Sequence, residues 1–288
     1  KRTFCRKYFQ TALYSKFTNI WGNGIMIRMI VSDLDMTLTG KNGEMSVLTA
    51  EIIRRSQQMG ISWVIATGRG FETVKPVLKK ADIDLDMILL NGAEYRSCNG
   101  EKQYYEALPQ DICEELITFF TKRNIDLEIN TSKGNYATAP RLLDDSSDLI
   151  PFQEYQKETA YILKIFVFSK DYENIQQAKE KLKGRTDIHV TSSAPWNVEI
   201  TSPAADKFQM VKRIIDENAI SSEEVMVFGD GVNDACLFRE FCHSRAVANA
   251  VPQIINMAEK VVADCEENGV AREVAEMFSI SLQEVLKV

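Results

Sequence analysis

The chain has 288 residues, 45% of them apolar and 26% charged, with a formal net charge of −7. That size bounds it to one large domain or, more naturally, two, with a composition typical of a globular protein with a sizeable core. An acidic balance with no dense basic run beyond the N-terminus argues against nucleic acid as a partner, because backbone phosphates call for a basic stripe.

Six cysteines (Cys5, Cys98, Cys113, Cys236, Cys242 and Cys265) form no Cys-x-x-Cys pair, and only His189 and His243 could complete a soft-metal site. A multi-ligand zinc site is therefore not expected. Scattered thiols read as reduced and buried, which favours a cytoplasmic setting. No apolar run approaches the ~20 residues needed to cross a bilayer, so no membrane association is expected.

The first 25 residues carry Lys1, Arg2, Arg6, Lys7 and Lys16 among Phe4, Tyr8, Phe9, Tyr14, Phe17 and Trp21, with no acid. This composition loosely resembles a transit peptide. Residues 1–25 are read as a leader or N-terminal extension, with Met26 or Met29 a natural start.

From there the pattern alternates. Ile27–Val31 reads as a buried strand, and Val47–Met59 as a helix stopped by Gly60. A strand at Ile61–Ala66, a helix at Phe71–Lys80 disturbed by Pro76, and a strand at Met87–Leu90 follow. This alternation signals a parallel sheet with helices on both faces. After Asn91-Gly92 the texture changes. A hairpin turning at Asn99-Gly100 is expected within Glu94–Tyr105, then a helix at Pro109–Lys122, a strand at Leu127–Ile129 and a polar stretch at Thr131–Ser147. A strand at Ile162–Phe168, a helix at Tyr172–Leu182 and strands near Ile188–Thr191 and Val198–Ile200 complete a block that reads as an inserted α+β domain. The parallel pattern resumes with a helix at Asp206–Asn218, Asp206 being its N-cap, and a strand at Val225–Phe228. Helices are expected at Asn233–Phe241 and Pro252–Ala258, strand segments at Ala246–Ala248 and Val261-Val262, and a mostly helical tail from Val270 to Val288.

Four apolar strands run into polar residues: Asp33-Leu34-Asp35, Thr67-Gly68-Arg69, Asn91-Gly92, and Gly229-Asp230-Gly231-Val232-Asn233-Asp234. In an open α/β sheet, ligands bind outside the carboxyl ends of the strands, so these groups should converge on one crevice. Asp33 and Asp35, two apart in an extended segment, leave from one face. Together with Asp230 and Asp234 they form a set of hard oxygen donors without His or Cys, which selects Mg²⁺. Thr67 and Gly68, between a strand and a helix, suit an anion, and Lys207 could set a positive charge against the same phosphate. A cation, a lysine and N–H donors around one phosphate would stabilise a transferring phosphoryl group.

These segments resemble the haloacid dehalogenase superfamily, in particular its Cof-type (type IIB) phosphatases. Asp33-Leu34-Asp35-Met36-Thr37-Leu38 is similar to the family's first motif, Thr67-Gly68-Arg69 to its second, Lys207 to its third, and Gly229–Asp234 to its fourth. The likeness runs from about Met26 to Phe278. It implies an α/β fold, a Rossmann-like parallel-sheet core with an inserted α+β C2-type cap domain. It also implies an Mg²⁺-dependent phosphatase acting on small phosphorylated metabolites such as sugar phosphates. Asp33 would be the nucleophile and Asp35 the general acid and base. Thr67, Gly68, Lys207 and Asn233 would hold phosphate. Asp33, Asp35 (through its backbone carbonyl), Asp230 and Asp234 would hold the metal. Met36 departs from the family's usual glycine, Phe208 follows Lys207 where glycine is common, and Ala-Cys-Leu-Phe follows Asp234; none removes a catalytic group.

Far more chain separates Thr67 from Lys207 than one connection needs, so the cap is set at residues 92–197, with 26–91 and 198–288 as the core. Such a lid would contact the substrate beyond its phosphate. Arg69, Asn91, Gly92 and Asn197 are the substrate-side candidates, with Glu94, Asn130, Lys133, Asn135, Tyr136, Arg141 and Trp196 weaker ones. A monomer or homodimer is expected. Two alternatives stay open: a phosphomutase using the same aspartyl-phosphate, and a non-catalytic sensor of a phosphorylated ligand.

Overall fold

The structure is a computed structural model that describes residues 26–142, 148–155, 160–192 and 194–285. The expected leader, residues 1–25, lies outside the described residues, as does most of the polar stretch beyond 142. Among the described residues no helix is long and apolar enough to cross a membrane.

The strands are β1 (Met29–Ser32), β2 (Ser62–Ala66), β3 (Asp86–Leu89), β4 (Glu94–Arg96), β5 (Gln103–Tyr105), β6 (Asp126–Thr131), β7 (Gly134–Ala137), β8 (Leu149–Pro151), β9 (Ile162–Phe168), β10 (His189–Thr191), β11 (Asn197–Thr201), β12 (Val225–Gly229), β13 (His243–Val247) and β14 (Lys260–Val262). The helices are α1 (Val47–Gln58), α2 (Phe71–Ala81), α3 (Gln110–Thr121), α4 (Tyr172–Leu182), α5 (Lys207–Glu217), α6 (Ala235–Glu240), α7 (Pro252–Met257), α8 (Gly269–Met277) and α9 (Leu282–Val285).

Eight strands form one sheet in the order β14-β13-β12-β1-β2-β3-β4-β5. The first six are parallel to their neighbours, and β4 and β5 add an antiparallel hairpin at the edge. β1 is buried along its whole length, as a strand covered on both faces must be; shielding Ile30 and Val31 contributes about 1.5–3 kcal/mol each. The chain winds from β1 outward through β2 and β3, then returns to the other side of β1 with β12. That reversal opens a crevice at the carboxyl ends of β12, β1, β2 and β3, where the four polar segments begin.

The helices follow their sequence signals. The Ser46 hydroxyl accepts the Thr49 N–H at 3.0 Å to cap α1, and the Asp206 carboxylate accepts the Gln209 N–H at 3.1 Å to cap α5. α2 continues through Pro76 to Ala81; the proline lacks one i→i−4 donor, but packing of Val74 and Leu78 holds the helix.

Six strands form a second sheet in the order β10-β11-β9-β6-β7-β8. It is antiparallel except for β7 beside β8. Leu127, Ile129, Ile165, Val167, Val198 and Ile200 point to one face and pack with α3 and α4 in a separate apolar cluster. β7 lies within the expected polar stretch Thr131–Ser147, and β8 follows it where no element was expected. Both are short, and the buried face of β7 carries the polar Asn135.

The strand pairing divides the chain differently from the expected cap limits of 92 and 197. The Glu94–Tyr105 hairpin extends the larger sheet through β3, and the smaller sheet includes β11 as far as Thr201. A hairpin signal fixes the turn, not the sheet that the hairpin joins.

Candidate active site

β1 delivers Asp33 at its carboxyl end, with the Asp33 N–H bonded to the Phe228 carbonyl of β12 at 3.0 Å. The chain then turns back, Leu38 and Thr39 both donating to the Leu34 carbonyl. Met36 sits in this turn at φ 56°, a left-handed conformation that favours glycine. The family's usual glycine at this place therefore has a backbone reason. The turn is held from outside: the Asn249 amide donates to the Met36 carbonyl at 2.7 Å and its oxygen accepts the Cys265 N–H at 2.9 Å.

Lys207 opens α5 and is 1% exposed. Its ammonium donates to Asp33 Oδ1 and to Asp234 Oδ1, both at 2.7 Å. The other oxygen of Asp234 accepts the N–H groups of Asp230 and Gly231 at 3.1 Å. This return of the side chain depends on Gly229, where a Cβ would lie 2.5 Å from Asp234 Oδ2. Asp230 is half-buried and accepts the Thr37 hydroxyl at 3.2 Å.

Ligand oxygens of Asp33, Asp230 and Asp234 all lie within 4.8 Å of one another. Burial pushes the Asp33 carboxyl well above its usual range despite Lys207, and Asp234 and Asp230 add to the rise. Burial and the charge of Asp234 push Asp230 up to about 6. For Lys207, burial works against the charge, but Asp234 and Asp33 outweigh it and hold the ammonium protonated. Three acidic groups thus gather around one ammonium, which bonds two of them. A second, hard cation fits this all-oxygen set on charge and on donor type.

Of the four expected metal-binding acids, the carboxylates of three converge. That of Asp35 does not: Arg69 Nε donates to its Oδ2 at 2.8 Å and Arg69 Nη2 to its Oδ1. Any part for Asp35 at the metal would fall to its backbone carbonyl.

Thr67 follows β2, and its hydroxyl oxygen accepts the Arg69 N–H at 3.1 Å, which leaves the hydroxyl hydrogen free for another acceptor. Asn91 closes over this loop. Its N–H donates to the Thr67 carbonyl at 2.9 Å, a Cβ on Gly68 would touch its amide at 3.2 Å, and its oxygen accepts from Asn233 Nδ2 at 3.2 Å. Asn91 and Asn233 therefore tie the second and fourth segments together.

Gly92 has a structural task. It lies at φ 104°, and a Cβ there would come within 2.4 Å of the Asp206 carbonyl oxygen. This close approach seats the start of α5 and so aims Lys207. Asn197 is 1% exposed. Its oxygen accepts from Ala194 N–H at 3.3 Å and Ser192 Oγ at 3.4 Å, so it braces its own turn.

Sequence reasoning gave no role to Thr37 or Asn249 and did not single out Lys164. Lys164 Nζ, on β9, reaches the Gly68 carbonyl at 3.3 Å. Its signal was a single charge inside the apolar run Ile162–Phe168.

Comparison with known proteins places this arrangement. A family described as haloacid dehalogenase-like hydrolase matches residues 30–274. The chain is 25% identical over 284 residues to the 5-amino-6-(5-phospho-D-ribitylamino)uracil phosphatase YwtE of Bacillus subtilis, covering 88% of this chain and 99% of that protein. It is 22% identical over 255 residues to the HMP-PP phosphatase of Cronobacter sakazakii, covering 85% and 94% of the two chains. Its fold matches a crystal structure of a haloacid dehalogenase-like hydrolase from Bacteroides thetaiotaomicron with a TM-score of 0.78, at 22% identity over 88% of this chain and 100% of the other. A HAD subclass IIB sugar phosphatase matches at 0.72, also at 22% identity and with coverage of 88% and 100%. With an eight-stranded sheet that gathers Asp33, Thr67, Lys207 and Asp230 at one end, the chain belongs to the haloacid dehalogenase-like hydrolases.

Proposed function

We propose that the chain is an Mg²⁺-dependent phosphatase of small phosphate monoesters that works through an aspartyl-phosphate on Asp33. The observation that carries this reading is the Lys207 ammonium, bonded at 2.7 Å to both Asp33 and Asp234, with Asp230 completing the acidic group. A buried carboxylate with one oxygen held by an ammonium keeps its other oxygen for attack.

In the proposed reaction the free oxygen of Asp33 attacks phosphorus and the bond from phosphorus to the ester oxygen breaks. Asp35 gives its proton to the departing alkoxide. Water then attacks the phosphorus of the aspartyl-phosphate, Asp35, now a carboxylate, takes a proton from that water, and phosphate leaves with the Asp33 carboxylate restored. In the present structure both oxygens of Asp35 are held by Arg69, so proton delivery starts with release of that guanidinium. Thr67, Gly68, Lys207 and Asn233 hold the phosphoryl oxygens. Asp33, Asp230 and Asp234, with the Asp35 backbone carbonyl, would hold Mg²⁺, which when bound neutralises charge on the transferring group.

The six-stranded unit between Tyr105 and Lys207 is assigned as the cap over this crevice. A small phosphorylated metabolite is the substrate class, in line with the relatives named as ribitylamino-uracil phosphate and HMP-PP phosphatases, and the cytoplasm is the proposed setting. Purified protein with Mg²⁺ should release phosphate from members of a panel of metabolite monoesters and stop on addition of EDTA. No release from any ester would overturn the proposal.

A further inference from the structure

The two faces of the smaller sheet differ in kind. One carries the apolar residues packed under α3 and α4. The other carries Glu128, Asn130, Asn135, Lys164 and Glu199, which are all buried although polar or charged. Burying such groups costs free energy unless each finds a partner.

Most of them do. Arg141 bridges the carboxylates of Glu128 and Asp148, with Nε to Glu128 Oε2 at 2.8 Å and Nη1 to Asp148 Oδ1 at 2.5 Å. Asp148 Oδ2 accepts from Asn135 Nδ2 at 2.7 Å, which leaves Asn135 Oδ1 to accept from Asn130 Nδ2 at 2.9 Å. Asn130 Nδ2 also donates to Glu128 Oε1 at 2.8 Å. Both acceptors demand the NH₂ group, so the orientation of the Asn130 amide is fixed. Its Oδ1 is then left with no donor among the described residues. Asn130 is 4% exposed.

Lys164 is its direct partner in the strand register, and residues so paired have neighbouring side chains on one face. Lys164 is 8% exposed; its ammonium makes two long contacts to oxygen, Glu199 Oε2 and the Gly68 carbonyl, both at 3.3 Å, and lies 5.5 Å from the centroid of the Phe166 ring. An ammonium has three donors, and neither contact is at the short end of the hydrogen-bond range. A fixed acceptor without a donor thus stands beside a donor with weak acceptors, next to the loop that carries Thr67 and Gly68. Asn130 and Asn135 also line a cleft of about 170 Å³ with Gly70, Leu90, Glu94 and Arg96. This is smaller than the ~300 Å³ at which pockets for drug-sized ligands begin.

We propose that Asn130 and Lys164 form a hydroxyl-recognition pair that selects phosphate esters whose leaving group is a small polyol. A hydroxyl gives its proton to Asn130 Oδ1 and accepts from Lys164 Nζ, so one group satisfies both. The pair is shielded from bulk water with the two sheets in their present positions. The ligand therefore enters as they part and is enclosed when they close. The inference rests on the phosphatase reading and narrows its substrate.

The test compares kcat/KM for terminal monophosphates of glycerol, erythritol and sorbitol with that for propyl, butyl and hexyl phosphate, in the full chain with Mg²⁺. In the wild type at least one hydroxylated ester should exceed its alkyl match by about 10- to 100-fold, the effect of one or two buried hydrogen bonds. Asn130→Ala, and separately Lys164→Met combined with Glu199→Gln so that no buried charge is stranded, should each lower that ratio by about 10-fold or more. A purely structural loss would lower both esters together and leave the ratio unchanged, which would overturn the assignment. So would a wild type that shows no preference in any of the three pairs, a result independent of how the variants fold. Hydrolysis without preference refutes only the recognition pair; no phosphate release from any of the six esters refutes the phosphatase reading with it.

Discussion

Replacing Lys207 with methionine removes the one ammonium shared by Asp33 and Asp234 and keeps most of the side chain's volume. The two lost contacts are 2.7 Å charge-assisted bonds between groups shielded from water. Removing one partner of a buried pair leaves the other charge uncompensated, at about 3–5 kcal/mol. The variant can lessen this by protonating a carboxyl, at about 1.4 kcal/mol for each unit that the pH exceeds that group's pKa. Lys207→Met should therefore be least stable relative to wild type near neutral pH and recover as the pH falls. Adding Asp234→Asn removes one repelling charge and should return part of the stability. Mg²⁺ should stabilise Lys207→Met more than wild type, because the cation replaces the missing charge. Denaturant unfolding in EDTA and in Mg²⁺, across pH, measures all three. A variant as stable as wild type in EDTA at neutral pH, or a double variant less stable than the single one, would refute the reasoning. Activity should fall by about 10³-fold, the upper range for losing one donor to a developing anion.

Gly92→Ala should destabilise the fold by more than about 1 kcal/mol and lower activity with it. Its Cβ would press on the Asp206 carbonyl within 2.4 Å; unchanged melting and turnover would contradict this. Met36→Gly should raise stability by about 0.5–1 kcal/mol in urea unfolding by relieving the left-handed turn at φ 56°. In metal-free protein Asp230 titrates at about 6, above the unfolded aspartate value of about 4. The folded state thus holds an extra proton between these values, and this group's contribution to stability declines as pH rises from about 4 through 6. Mg²⁺ binds the ionised group, so its affinity by calorimetry should weaken as pH falls below about 6.

The sequence revealed the site's chemistry more fully than its supporting geometry. Asp33, Thr67, Lys207, Asp230 and Asp234 were legible because each follows a buried strand or opens a capped helix, and parallel order then brings them together. The Asp35–Arg69 pairing was not legible because Arg69 lies two residues beyond Thr67 in another segment, and no spacing rule joins two such loops. The spacer role of Gly92 was not legible because its neighbour Asp206 is remote in sequence and only the packed structure brings the two together. β7 and β8 were hidden for a different reason. β7 has four residues and β8 three, and the buried face of β7 carries the polar Asn135, so neither offers the run of apolar alternation by which a strand is read.

The central claim is that Asp33 carries the phosphoryl group. Its most direct test is phosphate release by Asp33→Asn with Mg²⁺, on an ester that the wild type hydrolyses. The substitution keeps size and an acceptor for Lys207 but removes the nucleophilic carboxylate. Loss of turnover in a folded variant is the predicted result, and turnover at the wild-type rate would contradict it.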